Sequence, residues 1–214
     1  MDTFQKDTTT SITDLNDDCI LEIFTYLNIY ETFNTIDVFN ERLNDIAYQR
    51  ISQEKKLKIN MRDPPSFTNS QLAVIGIHLK HLDICAGYSI AEDLVVDILK
   101  SLFLNALAME TLRLNYVIWS SNYLCSVEPV ASQLKELDLS FCQLTDVLIL
   151  PLLEKCTNLQ HLKTVGNYTW KGLCLENLNF PSMKLLEVEL HEYWMLDLNQ
   201  YHLQNKWIKI TAFN

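Results

Sequence analysis

A three-residue core, apolar–polar–apolar, recurs along most of this chain at nearly constant intervals, and that recurrence restricts the fold more than any other feature. The cores are Leu57-Lys58-Ile59, Leu82-Asp83-Ile84, Leu112-Arg113-Leu114, Leu137-Asp138-Leu139, Leu162-Lys163-Thr164, Leu186-Glu187-Val188 and Ile208-Lys209-Ile210. Their first positions step by 25, 30, 25, 25, 24 and 22 residues. Period two within each core predicts a short strand with one buried and one exposed face. The intervening runs 69–77, 90–106 and 145–155 read as helices. The clearest unit, 134–166, holds a strand, a turn, an amphipathic run and the start of the next strand. Units of this length bury their apolar sides only by stacking on one another, each adding a strand to one parallel sheet.

Some units are less regular. The stretch 119–132 contains Pro129 and little helical periodicity, which predicts an irregular connection. Stretches 170–180 and 194–201 are short and turn-rich, so single turns are expected there. Pro64-Pro65 breaks regular structure just after the first strand. A last strand with a bare edge invites aggregation, and Lys206 and Lys209 are placed to blunt it.

Before residue 53 the pattern changes. Residues 1–11, polar and holding four threonines, read as a disordered tail. Asn16 reads as an N-cap, with Asp17 and Asp18 in the first turn, where the helix dipole favours acids. Ile20, Ile23, Phe24 and Leu27 then form one apolar stripe at helical spacing. A second helix is expected over 30–37, and a third over 40–53 with Leu43, Ile46, Ala47 and Arg50 on one side. Three short helices make a marginal core, so 12–52 is expected to need a neighbour or partner. The chain therefore divides into a tail (1–11), a helical domain (12–52) and a repeat domain (53–214).

The helical segment resembles an F-box, whose pattern is roughly L-P-x-E-I-L-x-x-I-F-x-Y-L followed by two more helices. Leu15, Ile20, Ile23, Phe24, Tyr26 and Leu27 match in kind and spacing, followed by Ile29, Val38 and the run 42–47. Asn16 stands where the family has Pro, and Asn40 and Leu43 stand near its Cys and aromatic positions. These departures bear on partner affinity more than on the fold. The repeats are similar to the cysteine-containing leucine-rich repeats found behind F-boxes, with Cys142 and Cys156 at the cysteine positions and Asn158-Leu159 leading into the next strand. Together the resemblances imply an α/β fold: a leucine-rich-repeat solenoid with a parallel sheet of about seven short strands, preceded by a small three-helix F-box-like domain. They imply the substrate-recognition subunit of an SCF-type cullin–RING E3 ubiquitin ligase, which marks proteins for proteasomal degradation. In that role Leu15, Ile20, Ile23, Phe24 and Leu27 would bind the Skp-type adaptor, and the repeats would bind an unidentified target protein. The subunit itself would catalyse nothing and need no cofactor. The competing readings are a repeat-type binding or scaffold protein whose degenerate F-box has no ligase role, and an enzyme with an unrecognised site.

Composition narrows the partners. A net charge of −10 argues against nucleic acid, since phosphate contacts need clustered Lys and Arg. Residues 1–50 hold ten acids against three bases, −7 of that total. The N-terminus lacks the apolar run of a signal peptide, and the most apolar stretch, 94–109, is interrupted by Asp97, Lys100 and Asn105, so no membrane contact is expected. The six cysteines form no C-x-x-C pair and read as reduced, which suits the cytoplasm or nucleus. Asn167-Tyr168-Thr169 fits a glycosylation sequon by chance. His78, His81 and Cys85 mimic a metal spacing, but His81 and Cys85 fall on the exposed side of a predicted strand with no fourth ligand near, so no metal site is expected.

What the repeat offers is a surface. Residues between and beside the apolar cores point to one face: Lys58, Asp83, Arg113, Glu136, Asp138, His161, Lys163 and Glu187 are the candidate target contacts. Seven strands at ~4.8 Å spacing give a face roughly 30 Å across. Its central column alternates in sign through Lys58, Asp83, Arg113, Asp138, Lys163, Glu187 and Lys209. Such alternation suits either a mixed-charge groove or the plain avoidance of repulsion between neighbouring strands. Tyr116, Trp119, Phe141, Tyr168, Trp170, Tyr193 and Trp194 fall just after the strands, at one rim, as interface anchors or as turn filling.

Overall fold

The computed structural model describes residues 11–36, 40–191, 194–205 and 209–213, which form two compact units, Met1–Glu54 and Lys55–Asn214. The expected tail, Ser11 excepted, lies outside the described residues, as do Val38, Tyr193, Lys206, Trp207 and Ile208.

The first unit holds α1 (Asp17–Thr25), α2 (Ile29–Thr35) and α3 (Glu41–Gln53), with a 3-10 turn at Ile12–Asp14. Each helix begins at an asparagine. Asn16 Oδ1 accepts the Cys19 N–H at 2.8 Å, Asn28 Oδ1 that of Glu31 at 2.9 Å, and Asn40 Oδ1 that of Leu43 at 3.0 Å. Glu31 returns the favour at α2, accepting the Asn28 N–H at 2.8 Å. Each cap satisfies an orphan donor and contributes about 1 kcal/mol. Helix α2 stops at Thr35 rather than 37 because Ile36 is extended. The core is Ile20, Phe24, Leu43, Ile46 and Ala47, with Ile12, Leu15, Leu21, Leu27 and Ile36 packed against it. Arg42 ties α3 to the start of α1: its guanidinium donates to Asp17 Oδ1 at 2.7 Å, the Thr13 carbonyl at 2.9 Å and the Leu15 carbonyl at 2.6 Å.

The second unit is α/β. Its strands are β1 (Lys56–Asn60), β2 (His81–Cys85), β3 (Thr111–Asn115), β4 (Glu136–Asp138), β5 (His161–Lys163), β6 (Leu185–Glu189) and β7 (Lys209–Phe213). They form one parallel sheet in sequence order. The connections carry α4 (Asn69–His78), α5 (Glu92–Phe103), α6 (Ser121–Val127), α7 (Asp146–Lys155) and α8 (Leu198–Gln204), with a 3-10 turn at Leu173–Asn177 between β5 and β6. Two connections are more helical than their sequence suggests. Residues 119–132 form α6 and then a 3-10 segment, Glu128–Gln133, that takes Pro129 in its first turn. The expected single turn at 194–201 is instead α8, whose start is set by Asp197 accepting the N–H groups of Asn199 and Gln200 at 2.9 and 3.1 Å.

Alternation within the strands decides what is inside. Leu57, Ile59, Leu82, Ile84, Leu112, Leu114, Leu137, Leu162, Leu186 and Val188 are all buried, together with Leu72, Ile75, Val95, Leu99, Leu102, Ile149 and Leu152 from the helices. Each such side chain contributes about 1.5–3 kcal/mol, an upper bound because the unfolded chain is partly collapsed. Helices α4 and α5 approach closely at Gly76, where a Cβ would stand 1.9 Å from the Leu102 carbonyl oxygen. Before β1, β2 and β3 a carbonyl accepts two N–H groups from the start of the next strand: Lys55 from Lys80 and His81, Lys80 from Glu110 and Thr111, Glu110 from Lys135 and Glu136.

One register differs from expectation. Leu186 pairs with Ile210 and Glu187 with Thr211, so the last step is 24 residues. In the sequence Ile208 and Ile210 fit the alternation equally, because residues two apart share a face, and alternation alone cannot choose between them. Lys209 thus sits beside Leu185 and leaves the central column.

Asn167 joins two turns from inside. Its Nδ2 donates to the Leu139 and Thr164 carbonyls at 2.9 and 2.8 Å, and its Oδ1 accepts from the Cys142 and Leu144 N–H groups at 2.8 and 3.2 Å. It is 2 % exposed, so the sequon's asparagine is a structural residue in the folded chain.

Candidate functional site

The exposed strand face gathers the eight residues proposed as target contacts, and the register sets their neighbours: Lys58 beside Asp83, Asp83 beside Arg113, Arg113 beside Asp138, Asp138 beside Lys163 and Lys163 beside Glu187. Opposite charges meet across the ladder, but loosely. Lys58 lies 3.8 Å from Asp83, Arg113 3.8 Å from Glu136, Lys163 3.5 Å from Glu187 and His161 3.7 Å from the same carboxylate. Exposed pairs of this length stabilise by about 0–1 kcal/mol at most, so they leave these groups free to exchange partners. Asp138 is different. Its Oδ1 accepts from Ser140 N–H at 3.0 Å, Ser140 Oγ at 2.6 Å and Asn115 Nδ2 at 3.2 Å, so its carboxylate holds the turn after β4. A shallow depression of about 460 Å³ lies over Lys56, Lys58, His81, Asp83, Thr111, Arg113 and Glu136, and a smaller one of about 210 Å³ over Arg113, Asp138, His161, Lys163 and Glu187.

At the leading edge of the sheet, Glu110 accepts from Lys80 and Lys135, each at 2.9 Å. Those hydrogen bonds, Lys135 foremost, hold its carboxyl down at about 2. The same edge carries Lys55, Gln160 and Lys184, the last donating to Gln160 Oε1 at 2.7 Å.

The aromatic residues divide into two sets. Trp119 and Trp170 are 2 % and 1 % exposed and fill the interior. Trp194 packs edge-on against Trp170 and donates to the Leu196 carbonyl at 2.8 Å. Tyr116, Phe141 and Tyr168 remain at the trailing rim, joined by Tyr88, which the sequence reading did not single out. Tyr116 stacks on Phe141 with centroids 4.8 Å apart and planes 2° from parallel, and Tyr88 meets Tyr116 edge-on at 5.9 Å. The Tyr88 hydroxyl donates to the Phe141 carbonyl at 2.9 Å, and burial raises its pKa. Tyr116 and Phe141 adopt φ of 61° and 59°, the left-handed region, which costs about 1–3 kcal/mol per side chain. Gly166, one turn on at φ 75°, lets the Phe141 ring lie against bare backbone, since a Cβ there would stand 2.3 Å from the ring. A depression of about 650 Å³ opens beside this stack, lined by Asn60, Arg62, Cys85, Gly87, Tyr88 and Tyr116. Tyr88 stands six residues after Leu82, whereas Tyr116 and Phe141 each stand four after Leu112 and Leu137, so a shared spacing does not reveal it.

In the first unit the five expected adaptor contacts differ in exposure. Ile20 and Phe24 are 0 % and 2 % exposed in the core, and Leu15 and Leu27 pack against it. Of the five, Ile23 alone is classed as exposed, at 40 %, and Tyr26 beside it reaches 81 %. A unit this small needs its main apolar stripe for its own interior.

Among the described residues no group of three or more His, Cys, Asp or Glu is placed to hold a metal. His81 and Cys85 stand four residues apart on one strand, about 13 Å at ~3.3 Å per residue, and His81 Nδ1 instead meets Thr111 Oγ1 at 3.0 Å. Cys142, Cys156 and Cys174 are buried, and burial pushes each thiol up to about 12. Among the described residues no helix is long and apolar enough to cross a membrane. No protein-family model matches the sequence, and no curated protein matches it either.

Proposed function

We propose that this chain is the target-holding subunit of an SCF-type cullin–RING ubiquitin ligase, acting in the cytoplasm or nucleus. On this reading the second unit is a leucine-rich-repeat solenoid, and the first is an F-box that docks on a Skp-type adaptor. The observation that supports it is the succession, in one chain, of a three-helix unit with an F-box-like stripe and a sequentially ordered parallel sheet with an open polar face. The chain makes and breaks no bond. It contributes proximity, holding a target where a separate enzyme transfers ubiquitin.

A specific observation favours a second reading, a repeat-type binding protein without a ligase role: four of the five expected adaptor contacts belong to the first unit's own packing. Co-purification of the full chain with a Skp-type adaptor separates the two. The ligase reading expects capture, lost in Ile23→Asp with an unchanged melting temperature. Absence of capture by the parent chain leaves the binding-protein reading.

A further inference from the structure

We propose that the β1–β3 half of the strand face holds an extended, acidic protein segment, with an apolar side chain of that segment seated against Tyr88 and Tyr116. The inference rests on the reading that this face holds the target, and not on the ligase role.

Charge is the first ground. The chain carries −10, yet the exposed positions of β1–β3 present Lys56, Lys58 and Arg113 against Asp83, with Glu136 of β4 at the border of the depression, so this half remains net positive. On β4–β6 the balance reverses, with Glu136, Asp138, Glu187 and Glu189 against Lys163. Arg62 adds a further cation at the far end of the first half, and two lysines share Glu110 at its near end. An acidic segment is therefore repelled by most of this protein and attracted to one place, which selects orientation as well as partner. Lys58 and Arg113 are 76 % and 52 % exposed and meet their carboxylates only at 3.8 Å, beyond hydrogen-bond reach, so both can turn to an incoming carboxylate.

Shape is the second. The depressions of about 460 and 650 Å³ lie end to end along the same three strands, because Lys58 is followed outward by Asn60 and Asp83 by Cys85. From Lys56 to Asn60 the trough follows β1 for four residue steps, about 13 Å at ~3.3 Å per residue, before the turn that carries Arg62, the reach of some four extended residues. Its near end is cationic and its far end is walled by Tyr88 and Tyr116, so acidic and apolar side chains are read at opposite ends.

The test is selection of a random decapeptide phage library on the immobilised full chain, then fluorescence titration of the best peptide. Enriched sequences are expected to carry at least two Asp or Glu together with an apolar residue within six positions. Lys58→Glu combined with Arg113→Glu should weaken the best peptide more than about tenfold, and Tyr88→Ala about threefold or more, each measured well below that variant's own melting temperature so that binding is read on folded protein. Raising NaCl from about 50 to 300 mM should weaken it several-fold, because screening shortens the reach of exposed charges. Neutral or basic winners, no enrichment at all, or unchanged binding to the charge-reversed variant each overturn the proposal. Adaptor capture on the same preparations keeps the two readings apart. Capture without acidic selection sinks this inference alone, and acidic selection without capture sinks the ligase role alone.

Discussion

Replacing Asn167 with alanine removes four hydrogen bonds of 3.2 Å or less, and a longer one to the Val165 carbonyl, from the interior of the second unit. The N–H groups of Cys142 and Leu144 lose their acceptor, and the carbonyls of Leu139 and Thr164 lose their donor. At a net ~0.5–1.5 kcal/mol per bond the total is about 2–6 kcal/mol. A water entering the vacated space restores part of this, because it can bridge two to four polar groups, so about 3 kcal/mol is expected. For a unit of this size that lowers Tm by about 6–12 °C. Asn167→Leu fills the same space without any polar atom, excludes the water and should fall further. Tryptophan fluorescence is the assay of choice, since all four tryptophans lie after residue 55 and report the second unit without the first. A drop below about 2 °C for the alanine variant, or a leucine variant more stable than it, would refute the reasoning.

Two other outcomes test the electrostatics and the thiols. Glu110 is held near 2 by Lys135 and Lys80, so its pairing stabilises the fold above the ordinary carboxylate value of 4.5 and is lost as pH falls from there toward 2. Acid titration of Glu110→Gln should show a shallower loss of stability in that window, the variant being already less stable than the parent at pH 7, where the pairing is fully present, and converging with it toward pH 2. An unchanged acid limb would mean that the pair contributes nothing. With Ellman's reagent, Cys19 and Cys125 should react first and Cys85 more slowly, while Cys142, Cys156 and Cys174 wait for denaturant. More than three thiols reacting in the native state would show that the interior opens.

Features decided by neighbouring residues are legible in the sequence, and those decided by distant contacts are not. Asn16 was legible as a cap because capping is decided within four residues, and α3 and α7 begin within one residue of expectation. An apolar stripe announces burial without saying whether a partner or the unit's own core does the burying, and Ile20 and Phe24 lie in that core. Asp138 read as a surface charge because its turn bonds to Ser140 and Asn115 depend on where β3 and β4 meet.

The sequence by itself determined the period, the strand parity and therefore which face of each strand is buried, since alternation is a property of neighbouring residues. Tertiary structure alone decided the pairing of Leu186 with Ile210, the four bonds of Asn167, the clamp of Arg42 and the aromatic stack of Tyr88, Tyr116 and Phe141. Apart from the Asn167–Thr164 bond, each of these joins residues more than 20 positions apart, so only the folding of the chain back on itself brings them within reach.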